Sequence, residues 1–220
     1  MQRMFDILFT AIAMLLLSPF LIPVAILLKL TGEGEVFYFQ ERIGQNGKPF
    51  HIYKFATMLK DSPNMANAYI TTKGDPRVLP FGKFLRKTKL NELPQLINIL
   101  KGDISIVGPR PQVKSHLDIY PKDKVGEILS IKPGLTGIAS IFFRDEEGMI
   151  SRSAMEPKAF YKKYIIPYKV DLELWYKKNQ GISTYFKIIF LTAWVIVFPK
   201  SLLIYKLFKD MPASVQELRG

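Results

Sequence analysis

The chain has 220 residues, a formal charge of +12 at neutral pH, 48% hydrophobic residues and no cysteine. That length fits one compact body with an appendage or at most two small units, and the lack of cysteine excludes disulfide scaffolds, thiolate zinc sites and cysteine nucleophiles. His51 and His116 are the only imidazoles, so a serine triad or histidine-rich metal site is poorly supplied. A basic chain that is also apolar (mean hydropathy +0.10) points to an anionic membrane surface before nucleic acid.

The first element is a hydrophobic run. No charged residue occurs from Ile7 to Leu28, with Arg3 and Asp6 before it and Lys29 after it. About 20 apolar residues span ~30 Å of hydrocarbon, so a transmembrane helix is one reading. A cleavable signal peptide fits less well, because no small-residue cleavage site follows the run before Lys29. Ser18-Pro19 and Pro23 offer a second reading, since proline removes a donor and breaks or kinks a helix. The arms on either side of Ser18-Pro19 are each about 12 residues, ~18 Å, too short to cross alone. A helix bent there enters and leaves by one face, the Ser18 hydroxyl meeting a freed carbonyl. The Lys- and Arg-rich remainder belongs on the cytoplasmic side, so a straight span puts Arg3 outside and a hairpin keeps it inside. The pattern alone leaves both open.

Next, Val36 to Phe39 and Phe50 to Phe55 read as two strands joined by a turn at Gln45-Asn46-Gly47-Lys48, a β-hairpin. Asp61 to Asp75 is polar and turn-rich, a surface loop. Phe81 to Lys87 fits a helix or a short strand. Leu93, Leu96, Ile97 and Leu100 fall on one face of a helix closed by Lys101-Gly102. With Asn91 as N-cap and Pro94 in the first turn, Asn91 and Glu92 stand at the positive helix end, where anions are favoured. Arg77, Lys83, Arg86, Lys87 and Lys89 precede this point and Arg110 follows it, the equipment for gripping phosphate. Glu92 suits Mg²⁺, which takes one or two carboxylates with phosphate oxygens and water.

Towards the C-terminus, Ile188 to Phe198 is apolar but too short to span. Its neighbours Tyr185, Trp194, Tyr205, Lys187, Lys200, Lys206 and Lys209 suggest a helix lying in the membrane interface, the alternative being a buried core helix. Residues 210–220 have no apolar period and read as a frayed tail. The organisation expected is therefore a membrane helix over 1–30, a cytoplasmic domain over 31–209 that includes the interfacial helix, and a tail over 210–220.

Several ordered stretches are similar to the bacterial sugar transferase family, the monotopic polyprenol-phosphate phosphoglycosyl transferases. They run from Arg3-Met4-Phe5-Asp6 and the Ser18-Pro19 pair through Val36 to Gly44, Tyr53-Lys54-Phe55-Ala56-Thr57-Met58, Asp75-Pro76-Arg77 and Phe84 to Thr88. Most specific are Glu92-Leu93-Pro94-Gln95-Leu96, Leu100 to Asp103, Val107-Gly108-Pro109-Arg110-Pro111 and Lys132 to Gly137. The resemblance implies an α+β, mainly helical fold with an N-terminal re-entrant membrane helix hairpin. A small globular cytoplasmic domain with a β-hairpin and interfacial amphipathic helices would complete it, at the cytoplasmic face of the bacterial inner membrane. The implied reaction moves a sugar 1-phosphate from a UDP-sugar to undecaprenyl phosphate, with Mg²⁺ as cofactor and UMP leaving, the first membrane step of a surface polysaccharide or glycoconjugate. By motif, Glu92 is the second acidic dyad residue and a metal ligand. Lys54, Arg86 and Arg110 bind substrate phosphate, and Arg144 contacts the nucleotide side.

Three departures stand out. Asn91 occupies the position of the dyad Asp, the family nucleophile, and a neutral amide is a very poor nucleophile. Ala56 replaces a basic residue often found in the strand motif. After Gly137 the chain reads Ile-Ala-Ser-Ile-Phe-Phe-Arg144-Asp-Glu-Glu in place of Trp-Ala-Gln-Val followed by Asn-Gly-Arg-Asn. Either Glu92 takes over as nucleophile, attack is direct in a ternary complex, or position 91 is an engineered substitution or marks a catalytically impaired or inactive protein, a membrane scaffold that binds polyprenyl phosphate. Anionic lipids are expected partners, nucleic acid is not, since no helix-turn-helix, zinc finger or RNA-recognition motif is evident. An oligomer is compatible with the sequence.

Overall fold

A computed structural model describes residues 1–65 and 74–218. The chain divides into two compact units: one of Met4–Glu41 and His51–Gly102, the other of Met1–Arg3, Arg42–Phe50 and Asp103–Gly220. Mainly helical α+β structure is found throughout, with two small sheets of two strands each.

In the Met4–Glu41/His51–Gly102 unit, helix α1 (Gln2–Leu30) contributes all but its first residues. Among the described residues it is the one helix long and apolar enough to cross a membrane. The chain stays helical through Ser18-Pro19, where a break was expected. Pro19 has no N–H to offer the Leu15 carbonyl, and the Ser18 hydroxyl donates to that carbonyl instead, at 3.0 Å. Most of α1 is exposed and apolar, but Leu21, Val24, Ala25 and Leu28 pack on Phe55, Phe81 and Leu85.

Strands β1 (Phe37–Ile43) and β2 (Pro49–Phe55) form the expected hairpin, through a turn at Gln45–Gly47 where Asn46 and Gly47 take φ of 57° and 76°. Phe37 stacks on Phe55 with centroids 5.6 Å apart. The segment Phe81 to Lys87 resolves as a helix, α2 (Pro80–Lys87), opened by a proline in its first turn. It crosses the chain after β2 so closely that a Cβ on Gly82 would lie 2.2 Å from the Thr57 carbonyl oxygen. Helix α3 (Gln95–Lys101) ends as anticipated on Gly102, whose φ of 89° favours glycine. Of the polar loop expected over 61–75, Ser62–Asn64 makes a short turn and Asp75 pairs with Arg77 at 2.6 Å; residues 66–73 lie outside the described residues.

In the other unit, β3 (Ser105–Val107) pairs in parallel with β4 (Gly134–Thr136), Ser105 opposite Gly134 and Val107 opposite Thr136. Between them lie α4 (Lys114–Leu117) and α5 (Lys122–Leu129). After β4 come α6 (Ile138–Phe142), α7 (Glu146–Arg152), α8 (Pro157–Phe160), α9 (Ile166–Lys178), α10 (Ile182–Val197) and α11 (Leu203–Leu207). Gln2 joins this unit: its side-chain amide donates to Ser105 Oγ at 2.9 Å and to the Val107 carbonyl at 3.2 Å.

Helix α10 reconciles the two readings of the second apolar run. Tyr185, Ile188, Leu191 and Val195 are buried on one face, while Phe186, Phe190, Ile196 and Val197 are exposed on the other. It is a core helix with an uncovered apolar side. The terminal segment does not fray through 218. Trp175 Nε1 donates to Asp210, the Tyr168 hydroxyl donates to the Pro212 carbonyl at 2.7 Å, and Leu218 is buried. The side chains of α9 satisfy what the tail's own sequence lacks the periodicity to satisfy.

The β3–β4 contact is made backbone to backbone. A Cβ on Gly134 would sit 2.1 Å from the Gly108 nitrogen, and one on Gly108 would sit 2.3 Å from the Lys132 carbonyl oxygen. Neither neighbour is a flexible side-chain tip. Gly134→Ala is therefore expected to destabilise the protein by about 1–3 kcal/mol, measured as a lowered denaturation midpoint; an unchanged midpoint would contradict the close approach.

Candidate active site

Two sets of sequence-selected residues fall in different units. Lys54, Arg86, Asn91 and Glu92 belong to the Met4–Glu41/His51–Gly102 unit, and Arg110 and Arg144 to the other.

Glu92 closes a 3-10 turn, Leu90–Glu92, rather than opening a helix. The expectation that Asn91 caps α3 is corrected here: the cap position is Pro94, and the helix starts at Gln95. The reason is Pro94 itself, whose missing N–H interrupts the helical ladder and leaves a run of i→i−3 bonds. Glu92 donates to Lys89, Leu93 to Leu90, Leu96 to Leu93 and Ile97 to Pro94, each at 3.0–3.1 Å. The turn is entered through Lys89 in a left-handed conformation, φ 60°.

Lys54 reaches this turn from β2. Its ammonium lies 4.0 Å from Glu92 Oε1, and both side chains are about one-sixth exposed, at 16% and 17%. Desolvation of this extent strengthens such a pair relative to one in free solvent. Asn91 is 7% exposed, and its Oδ1 has no hydrogen-bond partner among the described residues. A buried amide oxygen with nothing to accept is costly in a finished structure, and suits a position that awaits a donor or a cation. Arg86, on α2, directs Nη1 to Met58 Sδ at 3.8 Å.

Asn98, on α3, was not singled out by sequence reading, yet it sets this geometry. Fully buried, it accepts from the Tyr53 N–H at 2.9 Å and donates to the His51 carbonyl at 2.8 Å. The amide thereby imitates a strand partner on β2 and fixes α3, and the turn before it, against the strand that carries Lys54. An apolar helix face gives no hint of this, although an Asn at a core-facing position was a visible signal.

In the other unit, Arg110 is exposed in the turn after β3. Arg144 donates through Nη1 to the Val195 carbonyl in the last turn of α10, so at least part of its guanidinium holds a helix end. A polar cluster lies on α9. Lys169 pairs with Glu146 and approaches the Tyr161 hydroxyl at 3.4 Å. Burial opposes charge on Lys169, but Glu146 and Tyr161 outweigh it and raise its pKa. Glu173, one turn on, is 5% exposed, and burial pushes its pKa up to about 8 against the charge of Lys169 and a hydrogen bond from the Arg110 main chain. Burial also raises the Tyr120 hydroxyl and lowers His116, the latter helped by Arg42 and Lys169.

The family model described as bacterial sugar transferase matches residues 1–199, and the chain belongs to that family. The exopolysaccharide production protein ExoY of Sinorhizobium fredii is 39% identical over 70% of this chain and 74% of its own length. The UDP-glucose:undecaprenyl-phosphate glucose-1-phosphate transferase of Klebsiella pneumoniae is 37% identical over 87% of this chain, and the undecaprenyl-phosphate galactose phosphotransferase of Salmonella typhimurium 33% over 90%. The matches cover 39% and 40% of those two longer proteins.

The Glu173 carboxyl carries a pH signature. Its folded pKa is raised above the ordinary value of 4.5, so its contribution to stability is full below that value and is lost as pH rises through about 8. The wild-type melting temperature should fall between about pH 5 and pH 8 more steeply than that of Glu173→Gln, which has no titrating group there. His116 titrates in both proteins and cancels in the comparison; parallel pH profiles would contradict the assignment.

Proposed function

We propose that the protein transfers a sugar 1-phosphate from a UDP-sugar to undecaprenyl phosphate at the cytoplasmic face of the inner membrane, starting a surface polysaccharide or glycoconjugate. An oxygen of the lipid phosphate ends bonded to the phosphorus that carries the sugar, the bond from that phosphorus to the bridging oxygen breaks, and UMP departs. Phosphoryl transfer of this kind asks for positioning and charge neutralisation more than for covalent chemistry by the protein. The observation that carries the reading is the half-buried Lys54–Glu92 pair beside the orphaned Asn91 amide, in a chain of the sugar transferase family. The activities for which the Klebsiella and Salmonella relatives are named support the acceptor.

Lys54, Arg86 and Arg110 supply positive charge to substrate phosphates. Mg²⁺ fits the donors present: the Glu92 carboxylate and the unpartnered Asn91 Oδ1 are both oxygen ligands. Among the described residues no group of three or more His, Cys, Asp or Glu could hold an ion unaided. Substrate phosphates and water would complete its shell, as Mg²⁺ prefers, and the ion would neutralise diphosphate charge. Asn91 is uncharged at every pH of interest, which leaves Glu92 as the one carboxylate of the pair.

Membrane placement follows the same reasoning. Helix α1 is apolar and exposed along most of its length, which suits a helix seated in lipid, and Leu28 near its end lies in a core with Phe55 and Leu85. A helix that dips into lipid and returns to the same face keeps Arg3 on the side of the basic remainder, as the charge pattern favours. The exposed apolar face of α10, with Phe198 and Leu202 beyond it and Lys187, Lys200, Lys206 and Lys209 around it, suits contact with anionic lipids.

In lipid nanodiscs with undecaprenyl phosphate, Mg²⁺ and a panel of UDP-sugars, UMP release is expected. Glu92→Gln should lower it by at least about a hundredfold, and EDTA should abolish it. Asn91→Asp is expected to raise the rate if a missing carboxylate limits the native protein. No release from any donor, by either the native protein or the Asn91→Asp variant, would sink the reading. Because the chain has no cysteine, Met4→Cys gives a unique label site. A membrane-impermeant maleimide should modify it in inverted vesicles and not in intact spheroplasts; the opposite result would establish a straight span.

A further inference from the structure

Proline has no N–H, so in Pro109-Arg110-Pro111 the Arg110 amide is the single main-chain donor of the triplet. The surrounding main chain is tied down group by group. Gly108 N–H donates to Thr136 at 2.9 Å, and the Pro109 carbonyl accepts from Gly134 at 2.8 Å. The Pro111 carbonyl accepts from Arg42 Nη1 at 3.2 Å, and the Gln112 carbonyl accepts from Ile43 at 2.9 Å. The Arg110 carbonyl accepts from the Gln112 side chain at 3.0 Å. The one donor left goes to Glu173, a carboxyl buried on α9.

Packing alone does not account for a carboxyl there. Glu173 Oε2 has no hydrogen-bond partner among the described residues, and the neighbouring Lys169 is already engaged by Glu146 and Tyr161. A leucine would fill similar volume without the cost of a half-satisfied polar group. What leucine would not provide is an acceptor for Arg110.

We propose that Glu173 is a positioning residue for Arg110: by receiving the only N–H of the Pro-Arg-Pro turn, it fixes the direction in which the exposed guanidinium leaves the loop. The inference rests on the reading of Arg110 as a phosphate-binding residue. A guanidinium aimed by its own main chain loses less freedom on gripping phosphate, so removing the anchor weakens binding without removing the charge.

The test is the affinity for UDP with Mg²⁺, measured by calorimetry on the full chain in nanodiscs, for wild type, Glu173→Leu, Glu173→Gln, Arg110→Ala and the Glu173→Leu/Arg110→Ala pair. Glu173→Leu should weaken UDP binding about tenfold, the worth of one buried hydrogen bond. Glu173→Gln, whose amide oxygen still accepts, should restore affinity to within about threefold of wild type. The double variant should bind no more weakly than Arg110→Ala alone, because Glu173 acts through Arg110. Additive losses, or a Glu173→Leu protein that binds like wild type while Arg110→Ala is impaired, would overturn the inference. Unaltered binding by Arg110→Ala would instead overturn the phosphate-site reading, and the inference with it. Should Glu173→Leu fail to fold, Glu173→Asp withdraws the carboxyl by one methylene and is expected to lose affinity in the same direction; retained affinity there would count against the proposal.

Discussion

The arrangement depends on main chain touching main chain where only glycine fits. Gly82 lets α2 lie against the Thr57 carbonyl, and Gly108 and Gly134 let the segment after β3 close on β4. Each of the two arginines for which we propose phosphate binding sits a few residues beyond such a contact, Arg86 after Gly82 and Arg110 after Gly108. Backbone-to-backbone contact has no rotamers to relax, so it transmits position with little slack. Arginine is long and entropically costly to order, and a rigid root removes part of that cost from ligand binding.

The second organising feature is the use of polar side chains as substitutes for regular hydrogen bonding. Asn98 stands in for a strand along β2, Ser18 takes the carbonyl that Pro19 frees in α1, and Asp75 pairs with Arg77 just before α2. These groups occur where the chain departs from an ideal element, and each pairs a main-chain or charged group that the regular ladder does not. Asn91 and Glu173 differ: each keeps an oxygen without a partner among the described residues. Asn91 adjoins the Glu92 for which we propose a metal-binding role, and Glu173 adjoins the main chain of Arg110.

Much of the local structure was legible in sequence because it rests on short-range rules. The hairpin followed from two short apolar and aromatic runs and an Asn-Gly turn, the end of α3 from Lys101-Gly102, and the long apolar helix from an uncharged run bounded by ions. The start of α3 was misplaced, since Pro94 tightens the preceding turn and moves the helix entry past Glu92. The C-terminal residues looked unstructured because no periodicity marks them, yet Trp175 and Tyr168 hold them through single hydrogen bonds from another element. Asn98 escaped notice for the same reason: its partners lie more than 40 residues away in the chain.

Composition and motif order by themselves determined the family, the apolar N-terminal helix, the basic surface and the substitution of Asn for Asp at position 91, because each is a property of residue type and spacing. Tertiary structure alone decided that Lys54 faces Glu92, that α10 is buried on one side and bare on the other, and that a carboxyl on α9 receives the main chain of Arg110. Those relations join residues far apart in the chain. Their energies depend on burial and distance, which a linear pattern does not contain until the chain has folded.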